Sequence, residues 1–253
     1  MPEDEKLPLT AHLEELRRRL IICFCAVGIG FAISYIFSKR LFEILMQPLL
    51  AAMPAEEKLI YTGLPEAFFT YLKVAFLAGV LLSVPVIVYQ LWMFIAPGLY
   101  DKEKRLVLPI VFLSSLFFLG GALFGYFIVF PFGFKFFMGF ASDYVKPLPA
   151  MKEYLGFSSK LLFAFGIVFE LPLFVTFLAK LGIVNVKFLK AKRKYAILLF
   201  FVFASILTPP DVITQILMAG PLILLYEVGI LGARVFGKKE EKADAAETQE
   251  TVG

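Results

Sequence analysis

Three carboxylates stand where an otherwise apolar chain makes charge expensive. Glu15 lies beside Arg17, Arg18 and Arg19, and Glu103 lies beside Lys102, Lys104 and Arg105. Glu170 falls at the middle of an uncharged run from Leu161 to Ala179. The first two are suited to an incoming guanidinium. Arginine grips a carboxylate through two parallel hydrogen bonds and keeps its charge, so a pair of acids selects a two-arginine ligand over lysines. The plain reading of Glu15 is an i,i+4 pair with Arg19, worth about 0.2–0.5 kcal/mol on a helix. For Glu170 the constraint is stronger. An ionised carboxylate at mid-bilayer costs about 2.5–3.5 kcal/mol on insertion scales, so it must face a cavity, hold a partner or stay protonated. Its plain reading is a protonated glutamate bonded to a neighbouring helix. Pro172, two residues on, removes one rung of helix hydrogen bonding and frees a carbonyl nearby.

The surrounding chain must place these groups in a membrane. Of 253 residues, 60% are hydrophobic, 16% aromatic and only 18% charged, with mean hydropathy +0.82. A soluble domain has no way to bury that much apolar surface, which defines an all-α integral membrane protein. The net charge of +4 comes from basic residues that flank membrane segments, without an aromatic-interleaved stripe, and predicts no nucleic-acid partner. Cys23 and Cys25 fall on different faces of one helix and His12 is the only histidine, so no metal site and no cofactor is expected. Phosphate loop, zinc motif and nucleophile elbow are all missing from the chain, which reads as a non-enzyme.

Six spans are predicted at about 20–37, 74–95, 106–132, 161–179, 195–207 and 212–233, within a single membrane domain over 1–236. Leucines at 9, 13, 16 and 20 make one stripe of an amphipathic lead over 9–19, expected to lie at the interface before turning into the bilayer, with His12, Glu15 and Arg19 on another face. The uncharged run that follows is too long for a cleavable signal and is expected to stay in the mature protein. The fifth and sixth helices are expected to be short. The fifth has only the 13 residues from Tyr195 to Leu207, about 20 Å against a hydrocarbon core of about 30 Å, so this hairpin either thins the bilayer or packs against taller neighbours. Six spans put both termini on one side; 17 of the 25 Lys and Arg residues fall there, making the termini cytoplasmic. The outer loops 38–72 and 135–160 are expected to carry interfacial helices, and 237–253 reads as a disordered charged tail. Prolines 85, 109, 131, 172 and 221 are expected to bend spans. Gly121 and Gly125 suggest close helix packing, and Gln90 and Glu227 are polar within spans or at their ends.

Several long motifs, in this order, make the chain resemble the TatC family, the polytopic core of the twin-arginine protein translocase. They are His12-Leu13-x-Glu15-Leu16-Arg17-x-Arg19-Leu20, Tyr89-Gln90-x-Trp92-x-Phe94-Ile95-Ala96-Pro97-Gly98-Leu99-Tyr100 with Glu103-x-Arg105, Phe165-Gly166-x-x-Phe169-Glu170-x-Pro172, and Leu207-Thr208-Pro209-Pro210-Asp211. The resemblance implies a concave cup that receives folded precursors bearing twin-arginine signal peptides. It implies work with the single-span partners TatA and TatB in a homo- or hetero-oligomer of the inner membrane, driven by the proton-motive force. By position it makes Glu15 and Glu103 the acidic pair that reads the two arginines, with Phe94 and Arg17 beside them. It makes Pro48 and Asp211 sensitive outer-face positions, Glu170 the intramembrane polar group, and Ser205, Thr208 and Gln215 a contact for partner helices. If the lead motif is set aside, the alternative is a proton-coupled secondary transporter of a small solute around Glu170.

Overall fold

The computed structural model describes residues 9–54, 59–95, 107–142, 144, 146–207 and 212–237. Among these, the regular elements are helices, joined by one isolated parallel bridge between Ile60 and Ala150. The chain forms two compact units, the first through Val168 and the second from Phe169.

In the first unit, α1 runs unbroken over Leu9–Ile36, 28 residues, or about 42 Å at the usual rise, longer than the hydrocarbon core. The lead is thus the uninterrupted start of the first long helix. After a turn at Phe37, α2 (Ser38–Leu50) buries Ser38, Phe42, Leu45, Pro48 and Leu49 on one side, the helical spacing expected of an interfacial helix. Pro48 sits inside α2 and has no N–H to give the carbonyl of Ile44. That carbonyl is used elsewhere: the Tyr126 hydroxyl donates to it at 2.6 Å. The Tyr154 hydroxyl donates to the neighbouring Leu45 carbonyl.

Helix α3 (Glu66–Ile95, 30 residues) runs antiparallel to α1, and the two touch backbone to backbone at Gly30 and Gly79. A Cβ on Gly30 would stand 2.6 Å from the Gly79 carbonyl oxygen, and one on Gly79 would stand 2.5 Å from the Phe31 nitrogen. Only glycine permits that approach.

Helix α4 (Val107–Phe124) passes through a π turn (Gly125–Val129) into α5 (Phe130–Met138). The helical run therefore continues beyond the expected end near 132. The π turn presents Tyr126 to α2, and Gly125 admits the Phe165 ring, which a Cβ would meet at 3.3 Å. Around it Phe130, Phe134 and Tyr154 form a chain of rings 5.3–5.4 Å apart. At the other end of α3, Glu66 fastens the connections together. Its Oε2 accepts from the Thr62 and Gly63 amides at 2.9 and 3.2 Å and its Oε1 accepts from the Lys152 amide at 3.0 Å, at the start of α6 (Met151–Phe169).

In the second unit, α7 (Leu171–Leu181) starts from Glu170 with Pro172 in its first turn and ends on Gly182 at φ 79°, the left-handed cap that glycine adopts freely. Asn185 caps α8 (Val186–Leu207) by accepting the Phe188 amide at 2.7 Å. Helix α9 (Val212–Phe236) packs along α7, where a Cβ on Gly229 would meet the Pro172 Cα at 3.2 Å. It also packs on α8, where the Tyr226 hydroxyl donates to the Leu189 carbonyl at 2.9 Å.

Among the described residues, five stretches are long and apolar enough to cross a bilayer: His12–Ile36, Glu66–Phe94, Leu108–Met138, Met151–Leu181 and Thr214–Phe236. Two expectations need correction. The sixth helix is not short, since α9 has 25 residues, about 37 Å; the chain stays helical past Ala233 and accommodates Pro221. The fifth begins at Val186, because Lys187, Lys190, Lys192, Arg193 and Lys194 are good helix formers that an apolar-run criterion passes over. Its apolar part alone is short.

Candidate functional site

The Gly30–Gly79 contact sets the register that builds the site. Arg19 lies 11 residues before Gly30 and Gln90 lies 11 residues after Gly79; at about 1.5 Å per residue in antiparallel helices, both arrive about 16 Å along, on the same level. There the Arg19 Nη1 donates to the Gln90 Oε1 at 3.2 Å. One turn earlier on α1 stands Glu15, whose Oε1 accepts from both the Nε of Arg19, at 3.0 Å, and its Nη2. The pair is half-buried, with 17% of the Arg19 side chain and 26% of that of Glu15 exposed. An ion pair so placed is less screened than a surface one, yet open enough for a competing cation to reach.

These residues line a chamber of about 600 Å³ with Glu14, Arg18 and Ile22. One turn past Gln90, beside the chamber and not in its lining, the Phe94 ring stacks on His12 with centroids 4.3 Å apart and planes 23° off parallel. Carboxylate, fixed guanidinium, amide and aromatic face are thus gathered from two helix ends. Such a set recognises a cation with a planar, hydrogen-bonding head.

Of the residues expected to read the paired arginines, Glu15 and Phe94 lie at the same end of the packed pair α1–α3. Arg17 is exposed on another side of α1, where it lines a neighbouring depression with Glu14, Arg18, Ile21 and Ile22. Glu103, Thr208 and Asp211 lie outside the described residues. Pro48 is buried in α2, and its work there is to release the Ile44 carbonyl to Tyr126. Glu170 stands at the break between α6 and α7 with one carboxyl oxygen shielded from solvent. Ser205 is exposed on α8, its hydroxyl donating to the Val202 carbonyl at 2.8 Å, and the Gln215 side-chain amide joins α9 to α8 by donating to the Phe201 carbonyl at 3.0 Å. Glu227 on α9 accepts a hydrogen bond from Arg193 on α8 at 2.8 Å.

Two partners in the site escaped the sequence reading. Gln90, a polar residue late in a span, and His12, on one helix face with Glu15 and Arg19, both stand in the quoted motifs but carried no site role there. Counting equal distances from a glycine pair would have found the first. Among the described residues no cluster of His, Cys, Asp or Glu is arranged to hold a metal ion. A second depression of about 640 Å³ lies at the opposite end of α3, around Glu66, Lys73 and Lys152.

Several apolar helices of bilayer length make this a multi-pass membrane protein. A family model described as "Sec-independent protein translocase protein (TatC)" matches residues 11–221, and the chain belongs to that family. The Sec-independent protein translocase protein TatC of Desulforapulum autotrophicum is 62% identical over 250 residues, covering 98% of this chain and 93% of the relative. That of Aquifex aeolicus is 44% identical over 238 residues, covering 93% and 98%. A crystal structure described as the twin-arginine translocase receptor TatC superimposes with a TM-score of 0.78 at 43% identity, covering 89% of this chain and 99% of the other.

Proposed function

We propose that this chain is the signal-peptide receptor and scaffold of a twin-arginine translocase, with six spans and both termini in the cytoplasm of a cell whose inner membrane holds it. Glu15 and Glu103 bind the paired arginines of folded precursors. TatA and TatB assemble on the chain for transport driven by the proton-motive force, with Ser205, Thr208 and Gln215 in contact with partner helices. Glu170 supplies a polar point within the membrane, and Pro48 and Asp211 maintain the outer face.

One observation carries the reading. The Glu15 carboxylate already holds a guanidinium, and it does so in a chamber open to an outside ligand. A second guanidinium on the same acid is the same chemistry delivered from outside. Replacing Glu15 or Glu103 by Gln should abolish capture of a twin-arginine precursor by membrane vesicles while leaving the protein inserted. Normal capture by the double variant would refute it.

The helix break at Glu170 is also a shape that solute transporters use, with a polar group at a discontinuous helix. Liposomes containing this chain alone separate the two readings. Proton-coupled solute uptake that is lost in Glu170→Gln would favour the transporter.

A further inference from the structure

Arg19 does more than pair with its own helix neighbour. Its guanidinium makes three hydrogen bonds, and their distribution is uneven: Nε and Nη2 both fall on Oε1 of Glu15, while Nη1 is drawn aside to Gln90. An unconstrained arginine would spread its fork over both carboxylate oxygens. Here the fork covers one oxygen and leaves Oε2 outside it, while Gln90 on the other helix holds Nη1. Glu15 and Arg19 both line the open chamber.

We propose that Arg19 is an internal placeholder that occupies Glu15 until an arginine from outside arrives, and that Gln90 is the positioning residue that holds it to one oxygen. This rests on the reading of Glu15 as an arginine-binding acid. An arriving guanidinium engages Oε2 first and then displaces the two Arg19 bonds from Oε1, while Arg19, too buried to swing freely into water, stays on Gln90. An ammonium has no planar fork to replace both bonds at once. Selection of arginine over lysine therefore resides partly in the competitor built into α1.

The placeholder and a merely structural Arg19 differ in sign. If Arg19 only pins α1 to α3, removing it loosens the site and weakens binding. If it competes, removing it tightens binding. The test uses the full-length chain in lipid nanodiscs and a fluorescent signal peptide carrying Arg-Arg or Lys-Lys. Arg19→Gln is expected to tighten Arg-Arg binding about two- to fivefold, the range that part-exposed ion pairs span, and to shrink the arginine-over-lysine ratio. Arg18→Gln removes the same charge from the same chamber without touching Glu15. Its smaller effect should vanish in roughly 0.5 M salt, where the Debye length is only a few ångström, while that of Arg19→Gln persists. Gln90→Leu frees the fork to cover both oxygens and should weaken Arg-Arg binding, and the Arg19→Gln/Gln90→Leu double variant should bind like Arg19→Gln alone. Weaker binding by Arg19→Gln, or equal behaviour of the Arg18 and Arg19 variants at both salt concentrations, overturns the placeholder provided Glu15→Gln has lost binding. Wild-type binding by Glu15→Gln overturns the arginine-binding acid itself, and the placeholder with it.

Discussion

Adding one methyl group to Gly79 tests the register on which the site depends. A Cβ there would stand 2.5 Å from the Phe31 nitrogen, 2.8 Å from its Cα and 2.9 Å from the Gly30 carbonyl carbon. All three are backbone atoms, so no side chain can turn away. Carbon contacts become attractive only near about 3.5 Å, and α1 and α3 must therefore part locally by about 1 Å. Overpacking of this kind costs about 1–3 kcal/mol. Carried along the helices, the same parting stretches the 3.2 Å Arg19–Gln90 hydrogen bond beyond its useful range. Reversible unfolding in mixed SDS micelles measures the loss, with the fluorescence of Trp92 as reporter; it is the single tryptophan of the chain and is buried on α3. Gly28→Ala supplies the control, since its Cβ would have nothing within 4 Å. The expectation is that Gly79→Ala unfolds at distinctly lower SDS and that Gly28→Ala matches or exceeds the parent. Equal stability of Gly79→Ala and the parent would refute the close approach and the register derived from it.

Three further outcomes follow from the contact of α2 with the π turn, the Glu66 end of α3 and the second unit. Tyr126→Phe should cost about 1 kcal/mol for the hydrogen bond lost to the Ile44 carbonyl; in a double-mutant cycle with Pro48→Ala, which returns an N–H to that carbonyl, the cost should shrink, whereas strict additivity would contradict the role given to Pro48. Glu66→Ala should raise hydrogen exchange at the amides of Thr62, Gly63 and Lys152 together, and unchanged protection at Lys152 would remove Glu66 as the tie between the two connections. Arg193 and Glu227 are 44% and 41% exposed, so their coupling energy should be below about 1 kcal/mol and fall with salt; a larger, salt-insensitive coupling would show the pair to be shielded.

Much of the fold could be read from the residues because a bilayer imposes its own length scale. The long apolar runs appear as α1, α3, the α4–α5 run, the α6–α7 stretch and α9. What an apolar-run criterion misses is helix made from polar residues, as in the lysine-rich start of α8, and helix that changes pitch without changing composition, as in the π turn at Gly125 that carries the third run to Met138. The break beside Glu170 was foreshadowed by Pro172. In the site, the Glu15–Arg19 pair was legible because i,i+4 spacing is local. Gln90 and the His12–Phe94 stack were not, because they depend on how far two antiparallel helices slide past each other. That offset is set by Gly30 and Gly79, which composition reports only as two small residues in two different spans.

In the proposed function the chamber at Glu15 receives the arginines of a signal peptide. A photoreactive amino acid at position 22, where Ile22 lines that chamber, tests it directly in membranes supplied with a precursor. The expected adduct maps to the residues around the paired arginines, is strongly reduced when those arginines are lysines and is absent in the Glu15→Gln background. An adduct of undiminished yield in Glu15→Gln, or one insensitive to replacing the arginines, would contradict it.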